Sequence, residues 1–356
     1  MRNKELSAIP KRLPAEWEEQ EAVLMAWPHP GSDWGYIIDE AREQFASIIS
    51  TMLQNGERVL ILSVEPEATY SYLKEYIIRN GLNVRDDFRQ DIIQIDHNDT
   101  WTRDYGPVGV LDQKTGRAIL LDFGFNAWGL KFPANHDNQV NFRLRGRVLY
   151  ENAYVDCRDF ILEGGSIETD GKGTLLTTTE CLLNPNRNPT YTKQEIERIL
   201  SDRLGFDRFL WLAHGHIEGD DTDSHIDTLA RLAPDDVIVY CGGDSEEMRK
   251  MEQELRGFTT YEGEPYRLVE LPAPDPIYDE EGRRLAATYA NYLVTPNSVY
   301  VPLYNQPVKD SEALELIQSV YPDRKAIGIA CDTLIRQGGS LHCSTMQLLP
   351  GSLNKN

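Results

Sequence analysis

A cysteine near the C-terminal end is the first residue of this chain that could do chemistry. Cys343 ends the hexapeptide Gly338-Gly339-Ser340-Leu341-His342-Cys343. Paired glycines let a backbone approach a ligand closely, and a cysteine just beyond such a bend can act as an exposed nucleophile. An unpaired cysteine is also a common buried apolar residue. A nucleophilic role therefore depends on the groups that the rest of the chain brings to this thiol.

Four other residues carry the acid, base and anionic groups that such a thiol would need. They are Asp104, Glu163, His225 and Asp227. Residues two apart in an extended strand share a face, so we expect His225 and Asp227 to point the same way and His342 to point away from Cys343. This spacing favours His225 as the imidazole partner of the thiol. Each residue taken alone also suits a structural pair, a turn or a loop.

The residues between these groups predict an alternating α/β chain. Predicted strands at 22–27, 59–64 and 92–95 alternate with predicted helices at 39–54 and 66–79. Further helices are expected after three sequence signals: the capping box Thr192-Lys193-Gln194-Glu195 and the cap pairs Asp244-Ser245 and Asp310-Ser311.

A polar segment rich in Gly, Asp or His precedes a predicted strand five times. These polar segments are Asp104-Tyr105-Gly106, Glu163-Gly164-Gly165, His225-Ile226-Asp227, Ala290-Asn291 and Gly338-Gly339. The strands expected after them span 108–123, 166–183, 228–240, 292–303 and 341–349. Recurrence at intervals of roughly 50 to 65 residues indicates repeated supersecondary units, such as blades around an axis. If the segments face a common centre, their side chains meet there.

The composition limits the partners of the protein. The 356 residues include 57 acidic and 36 basic ones, for a net charge of -21. This charge argues against nucleic acid and anionic membranes as partners and suits a small cation. No apolar run is long enough to cross a bilayer. The five cysteines show no metal-type spacing, so we expect reduced thiols in a cytoplasmic protein.

The combined motifs resemble the agmatine deiminases, within the guanidino-group-modifying (pentein) superfamily. The resemblance covers nearly the whole chain and is carried by Pro14-Ala15-Glu16-Trp17, Met25-Ala26-Trp27-Pro28, Trp101-Thr102-Arg103-Asp104-Tyr105-Gly106-Pro107, Phe125-Asn126-Ala127-Trp128-Gly129, Leu162-Glu163-Gly164-Gly165-Ser166, His225-Ile226-Asp227 and the final Gly-Gly-Ser-Leu-His-Cys. It implies one catalytic domain over 1–356, folded as a five-bladed α/β propeller of pseudo-symmetric ββαβ modules. The length alone would also fit two domains.

The resemblance also implies an activity. It implies hydrolysis of agmatine to N-carbamoylputrescine and ammonia in putrescine synthesis, through a covalent amidino-cysteine (thiouronium) and with neither cofactor nor metal. The resemblance implies a role for each of five residues. Cys343 is the nucleophile and His225 the general acid and base. Asp104 and Asp227 bind the guanidinium as a pair, and Glu163 orients His225. Two carboxylates suit the planar fork of a guanidinium, and only a thiolate attacks well.

The distal part of the substrate involves further residues. The resemblance puts Asp221 near the ammonium of agmatine and Trp101 and Trp128 along the aliphatic stem, and Gly338 and Gly339 approach the ligand. The acidic run around Asp221 favours agmatine over arginine, whose carboxylate would need a cationic clamp.

Two positions depart from the family pattern, and several alternatives stay open. Thr228 and Ser340 stand where the family often has asparagine, which leaves pocket detail and substrate preference in doubt. The alternatives are a deiminase of peptidyl-arginine or free arginine, a family member that binds without turnover, and a metal- or ligand-binding protein using His214, His216 and His225. The sequence leaves open whether the chain forms a homo-oligomer.

Overall fold

The strands of this protein are short and fall into five separate sheets. The structure is a computed structural model that describes residues 6–84 and 87–354. The strands are, in chain order, β1 (Lys11–Arg12), β2 (Ala22–Ala26), β3 (Val59–Ser63), β4 (Ile92–Gln94), β5 (Val108–Asp112), β6 (Ala118–Gly124), β7 (Tyr154–Ile161), β8 (Glu168–Thr169), β9 (Thr174–Thr178), β10 (Arg208–Leu212), β11 (Ala230–Ala233), β12 (Val237–Cys241), β13 (Arg267–Leu271), β14 (Leu293–Val294), β15 (Ser298–Leu303), β16 (Lys325–Ala330) and β17 (Met346–Leu348).

Every sheet repeats one connection. Two antiparallel strands are followed by a helical crossover to a third strand, which pairs parallel to the second. The four sets of three strands are β5-β6-β7, β8-β9-β10, β11-β12-β13 and β14-β15-β16. The fifth sheet joins the two ends of the chain, because β17 pairs antiparallel with β2, whose crossover leads to β3 and then β4. Strand β1 adds to the edge of β5. The chain is therefore an α/β protein, as predicted.

Five longer helices carry most of the crossovers. They are α1 (Ile38–Gln54), α2 (Pro66–Arg79), α3 (Lys193–Leu204), α4 (Glu246–Gly257) and α5 (Pro307–Val320). The predicted helices at 39–54 and 66–79 are confirmed, because each buries an apolar face against the core. The capping box at Thr192 is also confirmed: its hydroxyl accepts from the N–H of Glu195, whose carboxylate accepts from the N–H of Thr192. No helix of the described residues is long and apolar enough to cross a membrane.

One predicted helix start is wrong. Helix α5 begins at Pro307, ahead of the pair Asp310-Ser311 that was expected to cap it. Asp310 lies inside the first turn, and its carboxylate accepts from the backbone N–H groups of Gln306 and Tyr304. The side chain thus satisfies free N–H groups from within the helix, a role that a cap pattern does not distinguish from an N-cap.

The polar segments lead into the sheets mostly through tight helical turns. One-turn helices occupy Thr102–Tyr105, Gly164–Ser166, Ile226–Leu229 and His342–Ser344, directly ahead of β5, β8, β11 and β17. The strands expected after the second, third and fifth polar segments therefore begin later than predicted. These turns bring polar side chains to the start of four sheets, where they are buried.

We predict that Thr192→Ala lowers the free energy of unfolding by about 1 kcal/mol, because it removes the acceptor for an N–H group at the start of α3. Urea unfolding measures the change. Ser201→Ala, inside the same helix, is the control and should leave stability unchanged within error. Equal destabilisation by both variants would contradict a capping role for Thr192.

Candidate active site

One cavity collects most of the residues that the sequence singled out. It has a volume of about 370 Å³. Its walls include seven of the predicted site residues: Trp101, Asp104, Trp128, Asp221, Gly338, Gly339 and Cys343. Residues of the first and fifth polar segments, together with the loop that precedes the third, thus face one space.

The remaining three predicted residues lie deeper, with essentially no exposed surface. They are Glu163, His225 and Asp227. Gly165 marks where these groups approach one another. A Cβ built on Gly165 would lie 2.6 Å from Nδ1 of His225, 2.9 Å from Oδ1 of Asp104 and 3.1 Å from Oδ2 of Asp227. Only a glycine leaves this space to the three functional groups.

His225 lies between two carboxylates. Its Nε2 is 3.0 Å from Oε2 of Glu163, and its Nδ1 is 3.7 Å from Oδ1 of Asp104. Burial lowers the pKa of His225, but Asp104, Cys181 and Glu163 outweigh burial, so its pKa lies well above the usual value. The imidazole is therefore held as a cation, the form that can give a proton to a leaving group.

Glu163 is fixed by further donors. Arg187 donates through Nε to both carboxylate oxygens, at 3.0 and 2.8 Å, and the thiol of Cys181 donates to Oε2 at 3.6 Å. Glu163, Cys181 and His225 have the donor types that zinc prefers, with donor atoms within 4.8 Å of one another. A cation there would have to displace the Arg187 guanidinium, which already supplies the compensating charge. The geometry therefore favours a hydrogen-bonded chain that orients His225.

Asp227 is held from the side away from the cavity. Its Oδ2 is 2.7 Å from Nδ1 of His342, whose Nε2 is 2.6 Å from Oε2 of Glu16. Residues 226–229 and 342–344 form helical turns and not the extended strands that the prediction assumed, but the predicted directions hold, because His342 and Cys343 line different cavities. His225 and Asp227 still approach one point, and His342 contacts the Asp227 carboxylate.

Cys343 is positioned by Asn291. The Asn291 side-chain oxygen accepts from the Cys343 backbone N–H at 3.3 Å and from its thiol at 3.4 Å, and Oδ2 of Asp227 is 3.8 Å from the sulfur. Burial, together with the charges of Asp227 and Asp104, raises the pKa of Cys343 well above its usual value. With no cation in the cavity, the sulfur is thus a thiol.

A strained turn positions Trp128. Residues Ala127–Leu130 all have positive φ, at 52°, 55°, 86° and 69°, and only one of them is glycine. Left-handed conformations cost roughly 1–2 kcal/mol for each non-glycine residue. The turn directs the indole N–H of Trp128 to Oδ2 of Asp104 at 2.9 Å, while the backbone N–H of Gly165 donates to Oδ1 at 2.9 Å. Trp128 therefore orients Asp104 in addition to forming a wall.

The far part of the cavity is acidic. Asp33, Asp99 and Asp221 line it together. Burial and neighbouring carboxylates raise the pKa of Asp99 to about 7, and burial with Asp220 raises that of Asp221 to about 6. Gly338 brings the backbone beside the carboxylate of Asp221, since a Cβ there would lie 3.0 Å from its Oδ1.

Trp101 packs against the glycine pair. A Cβ on Gly339 would lie 2.5 Å from the Trp101 ring, so the absence of a side chain lets the indole lie flat on the backbone. The two departures from the family pattern lie close by. The Ser340 hydroxyl is 2.8 Å from that of Tyr304, and the Thr228 hydroxyl donates to the carbonyl of His225. Both side chains are engaged within the protein.

The histidines of the metal-binding alternative do not converge. His214 contacts Glu254 at 2.7 Å, His216 lies 3.4 Å from the Ser224 hydroxyl, and His225 contacts Glu163. Each imidazole thus has its own partner, which does not support a shared ion site.

Sequence reasoning did not identify three residues of this site: Asn291, Arg187 and Asp99. Asn291 belongs to the fourth polar segment, and a lone amide among aromatic residues was a signal that could have identified it. Arg187 lies in the loop 184–190, whose sequence carries no comparable signal. Asp99 is two residues before Trp101 and resembles an ordinary turn former.

Comparison with known proteins assigns the family. Residues 12–349 match the family model described as Porphyromonas-type peptidyl-arginine deiminase. The chain belongs to this family. A curated protein of Shewanella sp. (strain MR-4), named "Putative agmatine deiminase", is 33% identical over 95% of this chain and 94% of its own length.

Solved structures agree with this assignment. A protein described as "a putative peptidyl-arginine deiminase" is 43% identical with a TM-score of 0.87, covering 96% of this chain and 99% of its own. A Cys-to-Ser variant of the C. jejuni agmatine deiminase with substrate bound is 35% identical with a TM-score of 0.85, covering 96% and 97%. An amidinotransferase from Microseira wollei is 15% identical with a TM-score of 0.53. This similarity concerns the fold and not the function.

We predict that Gly165→Ala lowers kcat/KM by roughly 100-fold or more, because the methyl group would occupy the space between His225, Asp104 and Asp227. Steady-state kinetics measures the loss, and circular dichroism checks folding. Gly257→Ala is the matched control, since nothing lies within 4 Å of its added Cβ. If Gly165→Ala folds and keeps the wild-type kcat/KM, the side chains of His225, Asp104 and Asp227 do not act together beside Gly165.

Proposed function

We propose that this protein hydrolyses agmatine to N-carbamoylputrescine and ammonia through a covalent amidino-cysteine at Cys343. The observation that carries the proposal is the meeting of Asp104, Asp227 and His225 around Gly165, beside a cysteine at the wall of an acidic cavity. Relatives named as agmatine deiminases, one of them with substrate bound, support this substrate. No step of the scheme uses a cofactor or a metal.

The guanidinium binds between Asp104 and Asp227, which offer carboxylate oxygens to its planar fork. The two carboxylates differ in how their surroundings shift their pKa values. Burial raises the pKa of Asp104, whereas His342, His225 and Arg231 overcome burial and lower the pKa of Asp227. The entering cation thus meets one carboxylate that is already ionised and stabilises the ionised form of the other.

The bound cation also favours the Cys343 thiolate, since it offsets the negative charges that keep the sulfur protonated, and the thiol proton passes to solvent. The sulfur attacks the guanidinium carbon and forms a tetrahedral adduct. His225 gives its proton to one amino group, the C–N bond breaks and ammonia leaves. Water then adds to the amidino-cysteine and His225 takes one of its protons. The C–S bond breaks, the product leaves, and the remaining hydroxyl proton returns the sulfur to its thiol form.

The distal ammonium of agmatine binds at the acidic part of the cavity. Asp221 and Asp99 supply negative charge there, and Trp101 and Trp128 flank the aliphatic stem. Aromatic walls and carboxylates together suit an alkyl chain that ends in a cation. Asp99 therefore joins Asp221 in this role.

The overall architecture and location are part of the proposal. We propose one catalytic domain over 1–356, of which residues 1–5, 85–86 and 355–356 lie outside the described residues. Its five sheets form the blades of an α/β propeller around the site, which the repeated connection of the sheets supports. A cytoplasmic location is supported by five free cysteines.

A second candidate substrate is arginine, either free or within a peptide. Three arginines line the outer part of the cavity, Arg283, Arg284 and Arg336, and could receive a carboxylate. Nη1 of Arg284 is buried without a hydrogen-bond partner among the described residues. Ammonia release from agmatine, arginine and a blocked arginyl peptide separates the candidates, and faster turnover of arginine or the peptide would overturn the choice of agmatine.

We predict that Cys343→Ala lowers turnover of agmatine by roughly 10⁴-fold or more while agmatine binding stays measurable by calorimetry. Intact-mass spectrometry of quenched wild-type protein should detect the amidino adduct. Cys241→Ala is the control, because this buried thiol lies at the end of β12, outside the cavity wall, and donates to the backbone carbonyl of Gly242. Substantial turnover by Cys343→Ala would exclude the covalent mechanism.

We predict that KM for agmatine rises as the pH falls from about 7.5 to 5.5, because Asp99 and Asp221 become neutral near pH 7 and 6 and lose their attraction for the ammonium. Asp221→Asn should raise KM roughly tenfold or more at neutral pH and flatten this dependence. The exposed Asp244 lies outside the cavity wall, so Asp244→Asn should behave like wild type. A pH-independent KM in the wild type would contradict the distal role.

A further inference from the structure

The two oxygens of Asp227 have different surroundings. Oδ2 is 2.7 Å from Nδ1 of His342, and Oδ1 has no hydrogen-bond partner within residues 6–84 and 87–354. Asp227 has no exposed surface, so an unpaired oxygen there is costly unless a ligand supplies a donor. One oxygen is therefore held by the protein while the other is left for a ligand.

His342 is itself held on its far side. Its Nε2 is 2.6 Å from Oε2 of Glu16, and the same oxygen accepts from Nη2 of Arg231 at 2.9 Å. The other oxygen of Glu16 accepts from the backbone N–H of Val294 at 2.8 Å. Both ring nitrogens of His342 therefore face carboxylate oxygens, and Nη2 of Arg231 lies 3.2 Å from Nε2. The chain Glu16, His342 and Asp227 thus fixes the rotation of the Asp227 carboxylate.

Glu16 lies away from the substrate. It lines a second, smaller cavity of about 50 Å³ together with Arg103, Glu168 and His342. Residues of the substrate cavity do not line this rear cavity, so a substitution at Glu16 changes the support of His342 without altering the substrate walls. This separation allows the support to be tested on its own.

We propose that His342, supported by Glu16, is a positioning residue that fixes the Asp227 carboxylate and directs its Oδ1 toward the guanidinium. This inference rests on the proposed function for the identity of the ligand. It gives the histidine next to the nucleophile a role in substrate binding, distinct from the proton transfers of His225.

The charged groups around Glu16, His342 and Asp227 decide how removal of His342 changes the ionisation of Asp227. Those facing Asp227 or His342 are Glu16, Arg103, Asp104, Glu168, His225, Arg231 and Cys343. Burial raises the pKa of Asp227. The hydrogen bond from His342 and the charge interaction with it are the largest effects that lower this pKa. Without His342 this pKa rises, so Asp227 loses its charge at a higher pH and binding of a cation is lost earlier as the pH falls.

The test measures guanidinium binding apart from turnover. The probe is n-butylguanidine, which has no distal ammonium and so does not depend on Asp99 or Asp221. Its dissociation constant is measured by calorimetry between about pH 5 and 8 in wild type, His342→Leu and His342→Asn. An asparagine amide can replace the Nδ1 donor, whereas leucine cannot. His214→Leu is the matched control, since His214 pairs with Glu254 outside the site.

We expect His342→Leu to weaken binding roughly 10- to 150-fold at pH 7 and to move the acid limb of the binding profile upward by about one pH unit or more. His342→Asn should recover most of the affinity and the wild-type acid limb. Glu16→Gln should give a smaller shift in the same direction, and it serves as the test if His342→Leu does not fold.

Other outcomes overturn the inference. A folded His342→Leu with the wild-type profile would overturn it, and so would an equal loss at every pH that His342→Asn does not recover, since that indicates only structural disturbance. Failure of the wild type to release ammonia from agmatine would overturn the proposed function instead. In that case the binding measurements still decide the role of His342.

Discussion

Compensation of buried carboxylates is the constraint on which this structure depends. An ionised acid without a partner cannot be buried without large cost, yet a site for a flat cation needs such acids. Glu163 is balanced by Arg187 and His225. Asp227 is held by His342. Asp104 receives two neutral N–H donors and lies 3.7 Å from the His225 ring, and its pKa is still raised, so of these three carboxylates it is the one whose charge is compensated least. That imbalance is what a guanidinium can relieve.

The fold supplies the compensating groups from distant parts of the chain. Glu16 precedes the first long strand, and its partner His342 lies beside β17, whose pairing with β2 brings the two ends of the chain together. Arg187 comes from a loop that follows β9. Each functional carboxylate or imidazole lies in or beside a one-turn helix or a tight loop at the start of a sheet. Such turns hold side chains more closely than long loops do, which suits hydrogen bonds near 3 Å.

The sequence predicted the local elements and the polar segments, and it missed the contacts that join them. Helices with a clear apolar period and the capping box at Thr192 follow from local physics, and the five polar segments identified the parts of the chain that meet. The sequence predicted that His342 points away from Cys343, but it did not predict the contact of His342 with Asp227, because that contact joins two helical turns that are distant in the chain. Arg187 and Asn291 act through partners more than 20 residues away, and spacing along one sequence contains no information on such pairs. Local rules therefore identify candidate groups, and tertiary packing decides which atoms they face.

The carboxylates near Cys343 also affect which compounds its sulfur can attack. A cysteine close to two carboxylates would ordinarily be a poor nucleophile, since their charges oppose its ionisation. In this cavity the carboxylates make reactivity depend on the ligand, because the Cys343 thiolate is favoured only when a cation lies between Asp104 and Asp227. Neutral or anionic compounds that reach Cys343 bring no such charge and leave the thiol protonated. Under the proposed function, the carboxylates that bind the substrate thus also restrict the chemistry of the sulfur to molecules that carry a positive charge at the reacting carbon.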